Sequence, residues 1–249
     1  MYDDEFELTF DLSDEDKASR APEPEQEPVQ EAAPEPAAET EPPVEPVPEP
    51  AVPAANGRCV LISGGDRGIG AAAARAFWQA GYRVAVLYHT HAEEAAALEK
   101  ALPGLLAVQC DVASRASCEV AFHTVEQAVG HVDVLVSNAG IAQQKLFTDI
   151  TPEEWQHMLD VNLSGAFHLC QLALPGMIRR KAGRILTVSS MWGQTGGSCE
   201  VHYSAAKAGL IGLTKALAKE EGPSGITVNC VAPGAVSYTH LTLPTNSLV

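Results

Sequence analysis

The chain lacks any apolar run approaching the roughly 20 residues that span a bilayer. Its N-terminus is acidic where a secretory or organellar signal would be basic. No membrane partner is expected, and the chain reads as cytoplasmic. Paired cysteines are also missing: Cys59, Cys110, Cys118, Cys170, Cys199 and Cys230 are scattered without a C-x-x-C spacing, several of them in apolar strand-like runs. Neither a disulfide framework nor a metal site is expected. Basic residues are scarce, with 16 Lys and Arg against 32 Asp and Glu and a formal charge of −16. That leaves nucleic acid no electrostatic footprint and excludes it as a partner.

Hydrophobic residues nevertheless make up 46% of the chain, too many for a wholly disordered protein. The charge is concentrated at one end. Residues 1–56 hold 17 of the acidic side chains, 2 of the basic ones and 11 of the 17 prolines. Residues 57–236 are therefore a nearly neutral body, long enough for one good-sized core. From Ala21 to Pro53 the sequence cycles through Pro, Glu, Ala and Val, which buries too little apolar surface to offset chain entropy; a disordered acidic tail is expected. Ahead of it, Phe6, Leu8, Phe10 and Leu12 alternate with polar residues in a strand-like pattern that could add to another protein's sheet edge.

After Gly57 the pattern changes to short β-branched runs separated by helical stretches. Arg58–Ser63, Arg83–Tyr88, Leu105–Cys110, Val132–Ser137, Arg184–Val188 and Ile226–Cys230 read as strands, with helices near 69–80, 92–102, 114–129, 152–180 and 203–221. Thr151, Pro152 and Glu154 form a capping box with Pro at the first helical position. Alternating strands and helices, with strands apolar on both faces, predict an α/β fold: a Rossmann-type doubly wound parallel sheet.

Directly after the first strand stands Ser63-Gly64-Gly65-Asp66-Arg67-Gly68-Ile69-Gly70, then a helix. Glycines there let the backbone approach a pyrophosphate, whose charge is stabilised by the free N–H groups of the helix start. The second strand ends at Tyr88-His89 with no acid to grip a ribose 2′-hydroxyl, and Arg67 stands in the glycine loop where it could meet a 2′-phosphate. NADP(H) is favoured over NAD(H), with His89 a weaker contributor. Further on, Tyr203-Ser204-Ala205-Ala206-Lys207 opens a helix. Tyr203 and Lys207, at i and i+4, share one face, so the ammonium can favour the phenolate. Ser190 can polarise a carbonyl, and Asn162 can hold a water that relays protons.

With these motifs the body resembles the short-chain dehydrogenase/reductase family from Arg58 to about Val236. The glycine loop, Asp111, Asn138-Ala139-Gly140, Asn162, Ser190, Tyr203, Lys207 and Pro233-Gly234 match in order and spacing, while Ser63 replaces the usual Thr and Ser137 the usual first Asn. The resemblance implies a catalytic set of Asn162, Ser190, Tyr203 and Lys207. It also implies cofactor contacts from Gly64, Asp66, Arg67, Gly68, Ile69, Gly70, His89, Asp111, Val112, Asn138, Ala139, Gly140, Tyr203, Lys207, Pro233 and Gly234. Asp111 would contact the adenine, and Pro233-Gly234 would abut the nicotinamide.

Within the family the body is most similar to 3-oxoacyl-acyl-carrier-protein reductases, which implies NADPH-dependent reduction of a small-molecule or carrier-bound ketone. The stretches Gly140–Ile150 and Ser189–Tyr203 resemble elongation factor P 5-aminopentanone reductases. That narrower likeness implies substrate contacts from Gln143, Gln144, Trp192, Gln194 and Glu200, with Glu200 or a glutamine receiving a free amine. Family members continue past the Pro-Gly pair into lid helices and a seventh strand. Here the pattern stops near Val236, and residues 237–249 show neither helical periodicity nor family character. The domain is therefore expected to be C-terminally truncated, with a foreign tail and an exposed sixth strand. A competing expectation is a silent fragment whose acidic tail acts as an interaction module. A homo-oligomer, paired through the helices at 152–180 and 203–221, is expected where the complete C-terminus is present.

Overall fold

A computed structural model of the chain describes residues 54–234. The expected acidic tail up to residue 53, with its Phe6–Leu12 segment, and the expected tail over 237–249 lie outside the described residues. Asn56, assigned to the tail by composition, is tied to the body: its backbone N–H donates to Gly81 O and its side chain to Ala80 O, each at 2.9 Å.

Six strands form one parallel sheet: β1 (Cys59–Ser63), β2 (Arg83–Tyr88), β3 (Leu106–Gln109), β4 (Val134–Ser137), β5 (Gly183–Val188) and β6 (Ile226–Val231). Their spatial order is β3-β2-β1-β4-β5-β6. This is the doubly wound Rossmann arrangement. The order reverses between β1 and β4, and in such sheets ligands bind outside the strand carboxyl ends at that point. Along β1, Val60 and Ile62 pack into one layer with Trp78, Val84 and Val86, while Leu61 packs into the other with Leu135, Leu169 and Met177. Each such side chain contributes about 1.5–3 kcal/mol on burial, and burial on both faces is why the strands read as continuous apolar runs.

The helices are α1 (Gly68–Gln79), α2 (Ala92–Ala101), α3 (Arg115–Val129), α4 (Pro152–Leu159), α5 (Gly165–Arg180), the single turn α6 (Trp192–Thr195) and α7 (Val201–Glu221). The capping box forms as the sequence predicts: Thr151 Oγ1 accepts from Glu154 N at 3.2 Å, and Glu154 Oε2 accepts from Thr151 N at 2.9 Å. The helix expected over 152–180 is not uniform, because a π-helical turn, Asp160–Ser164, separates α4 from α5. Asn162 lies in that turn, and its Nδ2 donates to Met158 O and to Ile141 O, each at 3.0 Å. The side chain competes for the i−4 carbonyl, which explains the local change of helical pitch.

Candidate active site

The site starts at the β1/β4 switch point. Ser63 is fully buried, and its Oγ accepts from the backbone N–H of Asn138 at 3.0 Å and of Ala139 at 3.1 Å. Asn138 Nδ2 donates in return to the carbonyls of Ser63 at 3.1 Å and Gly64 at 2.8 Å. The turns after β1 and β4 are thus stitched together, and the serine hydroxyl at 63 suffices for it. Gly64 adopts φ +60°, and a Cβ there would meet Ala139 Cα at 2.9 Å. Gly70 packs directly on the Gly64 carbonyl, leaving no room for a side chain. Arg67 caps α1 with extended backbone and no side-chain cap bond, so the first-turn N–H groups keep their capacity for an anion.

A cleft of about 930 Å³ opens above this turn. Every residue expected to hold the cofactor lines it except Gly70, which lies against the Gly64 carbonyl. Asp111 and Val112 line it after β3, and Pro233 and Gly234 after β6. The narrow glycine turn, the uncapped helix start and the size of the cleft fit a dinucleotide. Thr90 and His91 also line the cleft and were not singled out by the sequence. His91 Nδ1 lies 3.5 Å from Oδ2 of Asp66, which is only 8% exposed. Their position two and three residues past β2 was the available signal; the pairing across to the glycine loop was not.

Tyr203, Lys207 and Ser190 line the same cleft. Lys207 is 4% exposed; its Nζ donates to Val188 O at 3.0 Å and lies 5.7 Å from the Tyr203 ring centroid. Burial pushes its ammonium down to about 8, because the charged form loses its water. Ser189 Oγ donates to Lys207 O at 2.8 Å, which pins α7 to the end of β5. Ser190 Oγ accepts from Trp192 N at 3.2 Å and keeps its own proton available. Asn162 does not line the cleft. It is buried below Gly140, where a Cβ would meet Asn162 Oδ1 at 2.6 Å and Lys207 Nζ at 3.2 Å. That Oδ1 has no protein partner. Of the four residues expected to be catalytic, Ser190, Tyr203 and Lys207 thus line the cleft, and Asn162 lies behind Gly140 beside Lys207.

The five expected substrate contacts are placed differently, since none lines the cleft. Gln143 Oε1 is 2.9 Å from His202 Nε2, and its Nε2 donates to Glu154 Oε1 at 3.0 Å. Gln144 Nε2 donates to Glu200 Oε1 at 3.4 Å. Trp192 lies against Gly197, whose Cβ position is 3.0 Å from the indole. Gln194 lines a second cavity, between α7 and β6, with Thr214, Lys215 and Asn229. Among the described residues no group of three or more His, Cys, Asp or Glu could hold a metal ion, and no helix is long and apolar enough to cross a membrane. None of the six cysteines is disulfide-bonded.

The chain is similar in sequence and fold to known proteins. Residues 58–247 match the short chain dehydrogenase family. The acetoacetyl-CoA reductase of Rhizobium meliloti (strain 1021) is 45% identical over 179 residues, covering 72% of this chain and 74% of its own. A 3-oxoacyl-[acyl-carrier-protein] reductase of Staphylococcus aureus (strain N315) is 38% identical over 183 residues, with the same coverage of 72% and 74%. Among solved structures, that of gox2181 superimposes with a TM-score of 0.69 at 32% identity, covering 73% of this chain and 72% of that one. With sequence, fold and cleft in agreement, the chain belongs to the short chain dehydrogenase family.

Proposed function

We propose that this chain reduces a ketone to a secondary alcohol, with Tyr203 giving the proton to the carbonyl oxygen and NADPH as the reductant. The observation that carries the reading is the placement of Tyr203, Lys207 and Ser190 on one cleft with the glycine turn at the switch point. When bound, the dinucleotide would supply the hydride that the carbonyl carbon receives. Every other element is the chain's own. Gly64, Gly68 and the start of α1 would hold the pyrophosphate, and Arg67, exposed where it lines the cleft, would pair with the 2′-phosphate. Ser190 Oγ–H donates to the carbonyl oxygen and orients it. The Tyr203 hydroxyl gives up its proton to that oxygen as the alcohol forms, and Lys207 stabilises the phenolate left behind. Asn162 Oδ1, lacking a protein partner beside Lys207, accepts from a water that returns the proton.

The proposed substrate is an acetoacetyl or 3-oxoacyl thioester. Two relatives act on such compounds by name. Gln143 and Glu200, which could have received an amine, are already engaged with Glu154, His202 and Gln144. A homo-oligomer paired through α4–α5 and α7 belongs to the same proposal.

Following NADPH absorbance with acetoacetyl-CoA and with an aminoketone tests both levels. Oxidation is expected with the thioester, with NADPH preferred over NADH, and Tyr203→Phe should lower kcat by about 100-fold or more. Turnover of the aminoketone alone would move the substrate to the 5-aminopentanone modification of elongation factor P. Undiminished turnover by Tyr203→Phe would remove the mechanism.

A further inference from the structure

The start of α7, which carries Tyr203, has an unusual support. Its N-cap residue, Glu200, makes no side-chain cap bond. The residue before it, Cys199, sits at φ +59°, a left-handed conformation that costs energy for any side chain with a Cβ. Local bonds close this turn, from Glu200 N to Gly197 O at 3.1 Å and from Gly197 N to Ser204 Oγ at 2.9 Å, and the strip Gln143–Lys145 from the loop after β4 ties it to the rest of the domain. Lys145 N donates to Cys199 O at 2.7 Å, Gln144 reaches Glu200, and Gln143 reaches His202, the residue immediately before Tyr203. The strip is anchored in turn on Glu154. Lys145 Nζ binds both of its carboxylate oxygens, at 2.8 and 2.7 Å, and Gln143 Nε2 binds Oε1. Glu154 is itself fixed by the capping box of α4.

The proton directions in this chain are determined. The bonds from Lys145, the Thr151 N–H and Gln143 pull the Glu154 carboxyl down to about 2, so at neutral pH it only accepts. Gln143 must therefore turn its amide N–H toward Glu154 and its carbonyl oxygen toward His202. His202 must then carry its hydrogen on Nε2 and donate it. Its ring is fully buried, and Nδ1 has no partner. A histidine buried this way, with one nitrogen left unsatisfied, is retained against a desolvation cost.

We propose that Gln143 and His202 are positioning residues, which transmit the fixed geometry of the Glu154 capping box to the first turn of α7 and so hold Tyr203 at the cleft. This assigns Gln143 a place in the proton-donor scaffold, where the sequence alone suggested a substrate contact. The proposal rests on the ketone-reductase reading for its consequence in catalysis, and the experiment separates the two.

The full chain is compared as wild type, Gln143→Met, His202→Leu, the double variant of these two, and His202→Gln, the last retaining a side-chain N–H donor. With acetoacetyl-CoA and NADPH, Gln143→Met and His202→Leu are each expected to lower kcat about tenfold with KM for the thioester unchanged. The double variant should lose no more than either alone, because both break one connection. His202→Gln should recover most of the rate. A raised KM with unchanged kcat in Gln143→Met would make Gln143 a substrate contact and overturn the proposal, as would additive losses in the double variant. Hydrogen exchange of the backbone amides over 199–204 gives a readout that needs no substrate. It should quicken in Gln143→Met and stay at the wild-type rate in His202→Gln. If the wild type turns over no thioester, the functional reading fails while exchange still decides the support. Exchange unchanged in Gln143→Met overturns the support even in an active enzyme, and a His202→Leu chain that fails to fold leaves Gln143→Met to decide it.

Discussion

Lys207 offers a quantitative test of the candidate site, because its burial has a thermodynamic consequence that needs no substrate. Its ammonium is 4% exposed and is pushed down to about 8 from an ordinary 10.5. Between those values the unfolded chain binds a proton that the native chain does not. The native state therefore gains stability as pH rises from 8 to 10.5, and loses it again as pH falls through 8. At about 1.36 kcal/mol per pH unit, the swing is about 3 kcal/mol. Other groups titrate in the same range, so the assay is a difference: urea unfolding of wild type and of Lys207→Met at pH 7, 9 and 10.5. Methionine fills a similar volume without the charge. Relative to that variant, the wild type should gain about 3 kcal/mol between pH 7 and 10.5. A difference that stays constant across the range would show that Lys207 is hydrated in the native state. The buried cation beside Tyr203, on which the proposed proton transfer depends, would then be wrong.

Four further outcomes follow from the same structure. Dinucleotide binding should restore polar partners to the Lys207 ammonium, so calorimetry at pH 8.5 in two buffers of different ionisation enthalpy should report proton uptake, which Lys207→Met abolishes. Gly65→Ala places a Cβ at 2.5 Å from Val86 Cγ1 and 2.6 Å from Val86 Cβ. It should cost about 1–3 kcal/mol in chemical denaturation, and Val86→Ala should not restore it, because alanine keeps the Cβ that stands 2.6 Å away. Thr151→Ala removes one half of the capping box and should destabilise the domain by about 1 kcal/mol. Cys59 and Cys170 are held up at about 12 by burial. Their unfolded thiols ionise first, so each should make the native state lose stability as pH rises from 9 to 12, a loss absent in Cys59→Ala and Cys170→Ala when each is compared with wild type.

Much of the cleft was legible in the sequence because its parts are local. The glycine turn is one strand–helix connection, and Tyr203 and Lys207 are one helical turn apart, so spacing alone predicts that each group exists. The two-faced burial of β1 is likewise written in Val60, Leu61 and Ile62. What spacing does not carry is which distant segment a polar side chain will meet. Gln143, Gln144 and Glu200 read as polar residues beside a substrate, yet Gln144 bonds to Glu200 and Gln143 bridges Glu154 and His202 at the start of α7. Gln194 reads as part of the same stretch, but the single turn of α6 carries it to the far side, facing α7 and β6.

The sequence by itself determined the order of the strands, the parallel sheet and the one-turn spacing of Tyr203 and Lys207, since hydrophobic period and short-range spacing depend only on neighbours along the chain. The tertiary structure decided the rest: the π turn that sets Asn162 under Gly140, the pairing of His91 with Asp66, and the line of hydrogen bonds from Glu154 to His202. Each of these is a choice among many possible partners for a polar group, and that choice is made only when the packed backbone leaves one acceptor or donor within reach.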